Sequence, residues 1–352
     1  MTRPRRRFLK WAALFFLFVP AATDPAHAGA GALVQPRPGQ PVTIPTRYSG
    51  HRFVAVPTPE KGGVLTFLTD SAGGTIVFAD TVERLKLATA QAPGDGEAGK
   101  KMRLAELPSF KPGAAIPPPL GAKGGKLLVM DVKPGEVPKF LRQYDGLLGQ
   151  QWFAGRVWTF DYPGRRLLWR APGDLPRHEA AHEVKLGFRT SASGERETNF
   201  ARLSVKVDGE MIDFLFDTGA TNVLPDKILK EIGDSGPAER ATSFLTRSQF
   251  EKWHKKHPRW RALENAKTLT GSAMIEVPEI VIGGQAVGPV WFTVQPDGAF
   301  HNYMASMMDK ATEGALGGSA FHQLVVTVDW PNAIALFERP KDGPDRKDAQ
   351  GR

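Results

Sequence analysis

The chain is patterned as short strands separated by tight turns. Val54 to Phe78, "VAVPTPEKGGVLTFLTDSAGGTIVF", carries apolar stretches on either side of a glycine turn, then passes through Asp70 and small residues into a third apolar stretch. Leu203 to Pro225, "LSVKVDGEMIDFLFDTGATNVLP", has the same form, with Asp208-Gly209 as the hairpin turn. Superposing Asp70 on Asp217 also pairs Ser71 with Thr218 and Ile76 with Val223.

A second pair of segments repeats in the same order. Leu147 to Trp169 and Ala315 to Phe337 align without a gap and share Leu148/Leu316, Gly149/Gly317, Phe153/Phe321, Val157/Val325, Thr159/Thr327, Asp161/Asp329, Pro163/Pro331 and Leu168/Leu336. The chain therefore reads as an internal duplication. Each later segment predicts a buried strand ending in glycine, a short helical turn and a hairpin. Trp158, Phe160, Val326 and Val328 fall at core positions, and Asp161 and Asp329 are expected as turn formers because proline follows two residues on.

The segments between differ. Ser109 to Gly125 is rich in proline and glycine and reads as loop, whereas Ser248 and Glu251 suggest a capping box opening a short helix that Pro258 stops. His254 and His257 on that helix are flanked by lysines and lack an acidic neighbour, so a solvated basic face is expected rather than a metal site. In the polar stretch between the repeats, "HEAAH" (His178, Glu179, His182) fits the letters of a zinc-hydrolase motif. Its charged neighbours, the preceding Pro176 and the want of a third ligand argue against it, and chelators would discriminate.

Composition narrows the class. With 352 residues, 41% hydrophobic and 24% charged, the chain suits a globular protein with a substantial core. No cysteine is present, which excludes disulfides, a thiol nucleophile and cysteine-ligated metals. Arg3, Arg5, Arg6, Arg7 and Lys10 precede an apolar run from Trp11 to Ala22 and a small-residue pattern at Ala26-His27-Ala28. This is the form of a cleaved signal peptide spanning residues 1–28, too short an apolar run to cross a bilayer comfortably. "RRRFLK" matches the twin-arginine export pattern, and a general secretory signal fits the strongly apolar run as well. Both imply a periplasmic or secreted protein without a stable membrane anchor. Removing residues 1–28 lowers the formal charge from +9 to about +5, and no basic stripe interleaved with aromatics points to nucleic acid.

With both Asp loops in view, the chain resembles the tandem, two-lobed aspartic peptidases of the retropepsin and pepsin type, strongly through "FLFDTGA" and "ALG", less so through "FLTDSAG" and "DGLLG". The resemblance implies a mainly β fold: two similar retropepsin-like closed barrels in tandem, over residues 49–170 and 200–338, forming a pepsin-like bilobal cleft. Residues 29–48 would be a leader, 171–199 a linker and 339–352 a solvated tail. It also implies an exported endopeptidase in which Asp70 and Asp217 share a proton and activate water, with acid-favoured cleavage and no metal or cofactor. On that resemblance Ser71 and Thr218 tie the two Asp loops together, Gly219 admits a backbone N–H to the carboxylate, and Gly149 and Gly317 let strands pass beneath. Gly271 and Ser272 would sit near a flap tip, with residues 94–102 at the matching place in the first half. The substrate would be a peptide or protein in extended conformation, and the enzyme a monomer. The first half departs from the pattern at Thr69 and at Ala72, where glycine is expected. A non-catalytic peptide-binding protein that keeps the same fold is the alternative.

Overall fold

The computed structural model describes residues 33–95, 101–120, 124–132 and 139–340. The expected signal peptide, the tail beyond residue 340 and residues 96–100 of the expected first-half flap segment lie outside them. The fold is mainly β. Alternation builds its strands: in Arg202–Val207 the side chains of Leu203, Val205 and Val207 are buried and those between are not. That strand pairs antiparallel with Glu210–Phe216 across Asp208-Gly209, both with positive φ (50° and 83°), as a two-residue hairpin demands.

The duplication is visible in the strand order. One sheet runs Arg52–Ala55, Phe67–Thr69, Gly146–Leu148, Ile76–Phe78, Leu127–Met130, Lys101–Ala105, Thr89–Asp95, preceded by Thr46–Ser49 at its edge. A second runs Arg202–Val207, Glu210–Phe216, Gly314–Leu316, Ser243–Thr246, Val290–Gln295, Met274–Val277, Ala262–Leu263, with Ile280–Ile282 and Gln285–Val287 added beyond Arg202–Val207. Along the shared run the parallel and antiparallel senses match strand for strand.

The halves join through a third sheet, in which Val157–Asp161 pairs antiparallel with Val325–Asp329. The repeated segment thus pairs with its own copy. Equivalent residues Thr159 and Thr327 stand opposite each other, their hydroxyls 2.8 Å apart and buried. Trp158, Phe160, Val326 and Val328 are fully buried, while Asp161 and Asp329 accept turn N–H bonds from Gly164 and Asn332. Phe153 stacks on Trp330 at 5.2 Å and Phe216 packs on Phe321 at 5.1 Å, so aromatics of both halves share one core. Burying each such ring contributes about 1.5–3 kcal/mol.

Three expectations are corrected. The second-half equivalent of Ile76 is Phe244, not Val223: Ile76 pairs with Leu147 as Phe244 pairs with Ala315. After Asp217 the chain makes an excursion absent from the first half: the strand Thr221–Val223, the helix Asp226–Ile232 and the strand Glu239–Ala241, which pairs with Thr221–Val223. The helix Arg247–Lys256 is capped by Thr246, whose hydroxyl accepts the Gln249 N–H at 3.3 Å, rather than by Ser248. Finally, the polar stretch before residue 200 contributes structure of its own, since Glu183–Lys185 extends the third sheet beside Ile334–Glu338 and Leu186 and Phe188 are buried.

Candidate functional site

Each half delivers one aspartate in the same way. The strand Phe67–Thr69 lies parallel to Gly146–Leu148, and Asp70 N–H donates to the Leu148 carbonyl at 2.9 Å. Glu210–Phe216 lies parallel to Gly314–Leu316, and Asp217 N–H donates to the Leu316 carbonyl at the same distance. Just past these strands Gly149 N–H donates to Thr75 Oγ1 and Gly317 N–H to Ser243 Oγ, both at 3.2 Å. A Cβ at Gly149 would overlap the Gly73 and Gly74 carbonyls, and one at Gly317 the Thr242 carbonyl. Close backbone crossing therefore requires glycine at both positions.

The two loops are tied by a reciprocal set of buried hydrogen bonds. Ser71 N–H donates to Thr218 Oγ1 and Thr218 N–H to Ser71 Oγ, each at 3.0 Å. The hydroxyls in turn donate across the interface: Ser71 Oγ to the Phe216 carbonyl at 2.8 Å, and Thr218 Oγ1 to the Thr69 carbonyl at 3.1 Å. Both side chains are almost wholly buried, at 1% and 2% exposure. With no water to replace any lost partner, the loops are held at one separation.

Held so, the Asp70 carboxyl lies against Gly219, whose N–H donates to Asp217, and the two carboxyls act on each other electrostatically. Asp70 Oδ1 accepts from Ala72 N–H at 3.1 Å, and Asp217 Oδ1 from Gly219 N–H at 3.0 Å. Ala72 thus makes the bond its glycine counterpart makes, while its methyl packs against a cluster of Phe200, Leu215, Phe300, Met304, Met308 and Ala315. Gly219 has no such latitude, because a Cβ there would overlap the Asp70 carboxyl carbon. Asp217 is buried and Asp70 half-buried, so Asp70 is the carboxyl that meets solvent. Burial pushes both pKa values up. The neighbouring Asp70 charge pushes Asp217 further, well above the ordinary carboxylate range.

A polar network braces the second loop from the first half. Arg52, 3% exposed, donates to Thr221 Oγ1 at 3.0 Å and to Glu239 Oε1 at 2.8 Å, and Thr221 Oγ1 donates to the Gly219 carbonyl at 2.7 Å. Tyr144 and Gln143 also donate to Glu239. These residues, with Thr75 and Ser243, escaped the sequence reading. Ser243 had one signal: "TSFLT" leads into a helix as "TIVF" does, after the intervening excursion.

The remaining candidates lie apart. Gly271 and Ser272 sit in the connection between Ala262–Leu263 and Met274–Val277, at the sheet position matching the first-half hairpin. That connection is pinned to the strand after Asp217: Thr268 N–H donates to the Val223 carbonyl at 3.0 Å and Asn222 Nδ2 to the Ala266 carbonyl at 3.1 Å. "HEAAH" forms a single 3-10 turn at Ala180–His182, with His178 facing Glu183 and His182 facing Gln285. His254 stacks on Phe250, and His257 contacts Asp208 and stacks on Trp260. Neither histidine pair converges with an acid to form a metal-binding group among the described residues.

No family model and no curated protein matches the chain. Among solved structures it is similar to an aspartic proteinase from Irpex lacteus, with 11% identity over 84% of this chain and 96% of that one, at a TM-score of 0.45. It is also similar to a retropepsin-like aspartic protease from Rickettsia conorii, with 15% identity over 44% of this chain and 88% of that one, at a TM-score of 0.25.

Proposed function

We propose that the chain is an exported aspartic endopeptidase that hydrolyses peptide bonds with a water activated by Asp70 and Asp217, across a cleft between its two similar halves. The observation that carries this reading is the reciprocal Ser71–Thr218 hydrogen bonding that ties the loop of Asp70 directly to the loop of Asp217. Two carboxylates so close cannot both ionise easily, so the pair retains one proton over a wide pH range. Asp217, the more deeply buried, keeps it; Asp70, the more open, is ionised and takes a proton from the attacking water. Asp217 then donates to the carbonyl oxygen of the scissile bond. Neither a metal nor a covalent intermediate enters this scheme.

The alternative of a binding protein without turnover rested on Ala72. Its N–H still donates to Asp70, and its methyl has a packed place, which supports a competent first half. Because burial raises both carboxyls, the acid-favoured window is expected to lie above that of ordinary carboxylates. The N-terminal basic and apolar pattern supports export to the periplasm or beyond.

The test is hydrolysis of a mixed peptide library by the mature chain, with Asp70→Asn and Asp217→Asn as variants. Each substitution is expected to abolish cleavage and leave folding intact, and statine-type transition-state mimics to inhibit the parent. Unchanged cleavage in either variant would refute the pair. Processing near Ala28 and recovery outside the cytoplasm test export.

A further inference from the structure

One half-buried lysine, Lys267, has no part in the chemistry above. Lys267 occupies the connection between Ala262–Leu263 and Met274–Val277, and both its neighbours are anchored to the strand that follows Asp217: Ala266 through Asn222 and Thr268 through Val223. Its carbonyl accepts N–H bonds from Thr270 and Gly271, closing a tight turn that fixes where the side chain departs. The ammonium lies over the face of Phe244, 5.2 Å from the ring centroid.

Phe244 connects this cation to the reacting groups. It stands in register with Ala315, which in turn stands in register with Leu215, two residues before Asp217. These three adjacent strands present one row of side chains on one face. Phe244 and Ala72 pack against the same buried cluster, and Ala72 is the residue whose N–H holds Asp70. Whereas most residues around the Asp loops are fully buried, Asp70, Ala72, Phe244 and Lys267 are all half-buried. Through Phe244 and the shared cluster, these exposed edges run from Lys267 to Ala72 and Asp70.

Among the described residues no carboxylate pairs with Lys267, and burial alone shifts its pKa, down to about 8. Withdrawing an ammonium from water against an aromatic face, with no acid to offset it, is unfavourable unless something else supplies the negative charge. Other lysines of this half behave differently: Lys252 and Lys256 pair with Glu210 and Asp208.

We propose that Lys267 is a specificity-determining residue that receives a carboxylate of the bound peptide, carried by a side chain lying along Phe244 or by the peptide's C-terminus. The inference rests on the peptidase reading for the presence of a peptide, not for its turnover. A substrate residue with an aliphatic stem and a terminal carboxylate satisfies both parts of the subsite, the ring and the ammonium. Partial desolvation makes the ion pair stronger than one on an open surface.

The experiment uses the full mature chain and sets of peptides identical except for Glu or Gln at one position, each with a free or an amidated C-terminus. Binding is measured by fluorescence anisotropy to the Asp217→Asn form, which needs no turnover, and kcat/KM is measured on the parent. The expected result is a preference for Glu of roughly tenfold at one position, as a charge-assisted bond in a partly buried site provides. Lys267→Met should abolish that preference, Lys267→Arg should retain it, and Lys267→Glu should reverse it toward Gln. If the preference instead follows the free C-terminus, the carboxylate is the terminal one and the same variants should remove or reverse it. Equal binding of all four peptide types, or a preference that survives in Lys267→Met, overturns the proposal. Lys267-dependent binding without any cleavage by the parent refutes the peptidase reading alone, and cleavage without a carboxylate preference refutes this inference alone.

Discussion

Replacing Thr218 with valine tests the architecture of the site at its centre. The change keeps the shape of the side chain and removes one hydroxyl, so no cavity opens. That hydroxyl accepts the Ser71 N–H and donates to the Thr69 carbonyl in a position 2% exposed. Both partners lose their bond where water has no access, and each unsatisfied buried group costs about 1–3 kcal/mol. The expected destabilisation is therefore roughly 2–5 kcal/mol, read from urea unfolding with an unchanged m value. The loops would also lose the link that sets the carboxyl separation, and a shift of about 1 Å in reacting groups can lower a rate by about 10²-fold. A fall of that order in kcat, with a smaller change in KM, should follow. Thr218→Ser is the control, since the first half already uses serine at the equivalent Ser71, and it should retain both stability and rate. Ser71→Ala combined with Thr218→Val should be non-additive by about 1 kcal/mol, because the two act in one network. Valine at 218 with stability within about 0.5 kcal/mol of the parent and undiminished hydrolysis would refute the reasoning.

Gly219→Ala should abolish hydrolysis, since the new methyl overlaps the Asp70 carboxyl, while Ala72→Gly should leave kcat/KM within a few-fold; the reverse ranking would show that the first half is the impaired one. Glu239→Ala leaves Arg52 buried without its carboxylate and should lower unfolding free energy by about 3 kcal/mol, against little change if the pair were a surface one. For pH, Asp70 and Asp217 have folded pKa values above those of the unfolded chain, so they favour the folded state while protonated. That contribution is whole below about 4, the unfolded value, and is lost as pH rises through the raised folded values. Asp217→Asn should accordingly gain stability relative to the parent as pH rises, and kcat/KM should climb through an ionisation higher than that of an ordinary carboxylate before falling as the second proton leaves. Thermal melts across pH and a pH–rate profile measure the two, and a parent whose rate is maximal below pH 3 would contradict the burial argument.

The strand pattern, the duplication and both Asp loops were legible in the sequence because each is a local property. Alternation sets which face of Arg202–Val207 is buried, and a gapless match of Leu147–Trp169 to Ala315–Phe337 needs no knowledge of distance. Asp208-Gly209 has the positive φ pair that its composition permits. What local pattern could not register was where the second half departs from the first. The excursion from Thr221 to Ala241 displaces the strand equivalent to Ile76–Phe78 as far as Ser243–Thr246, and only the ladder with Gly314–Leu316 reveals it.

Residue types named the two carboxyls, but the approach of their loops depends on partners 147 positions apart, Ser71 and Thr218 exchanging hydrogen bonds across the halves. The state of Ala72 was likewise undecidable from composition: a methyl there is harmless or disabling according to the direction in which it points, and the cluster around Phe200 and Phe300 receives it. The unmatched charge of Lys267 was invisible too, since a lysine in a polar-looking loop reads as exposed until tertiary packing lays it on Phe244. The sequence by itself determined the strands, the turns and the chemistry available, because these follow from side-chain periodicity and backbone preference. Only the tertiary structure decided which buried polar groups meet, because burial and long-range pairing set their separation, their protonation and their partners.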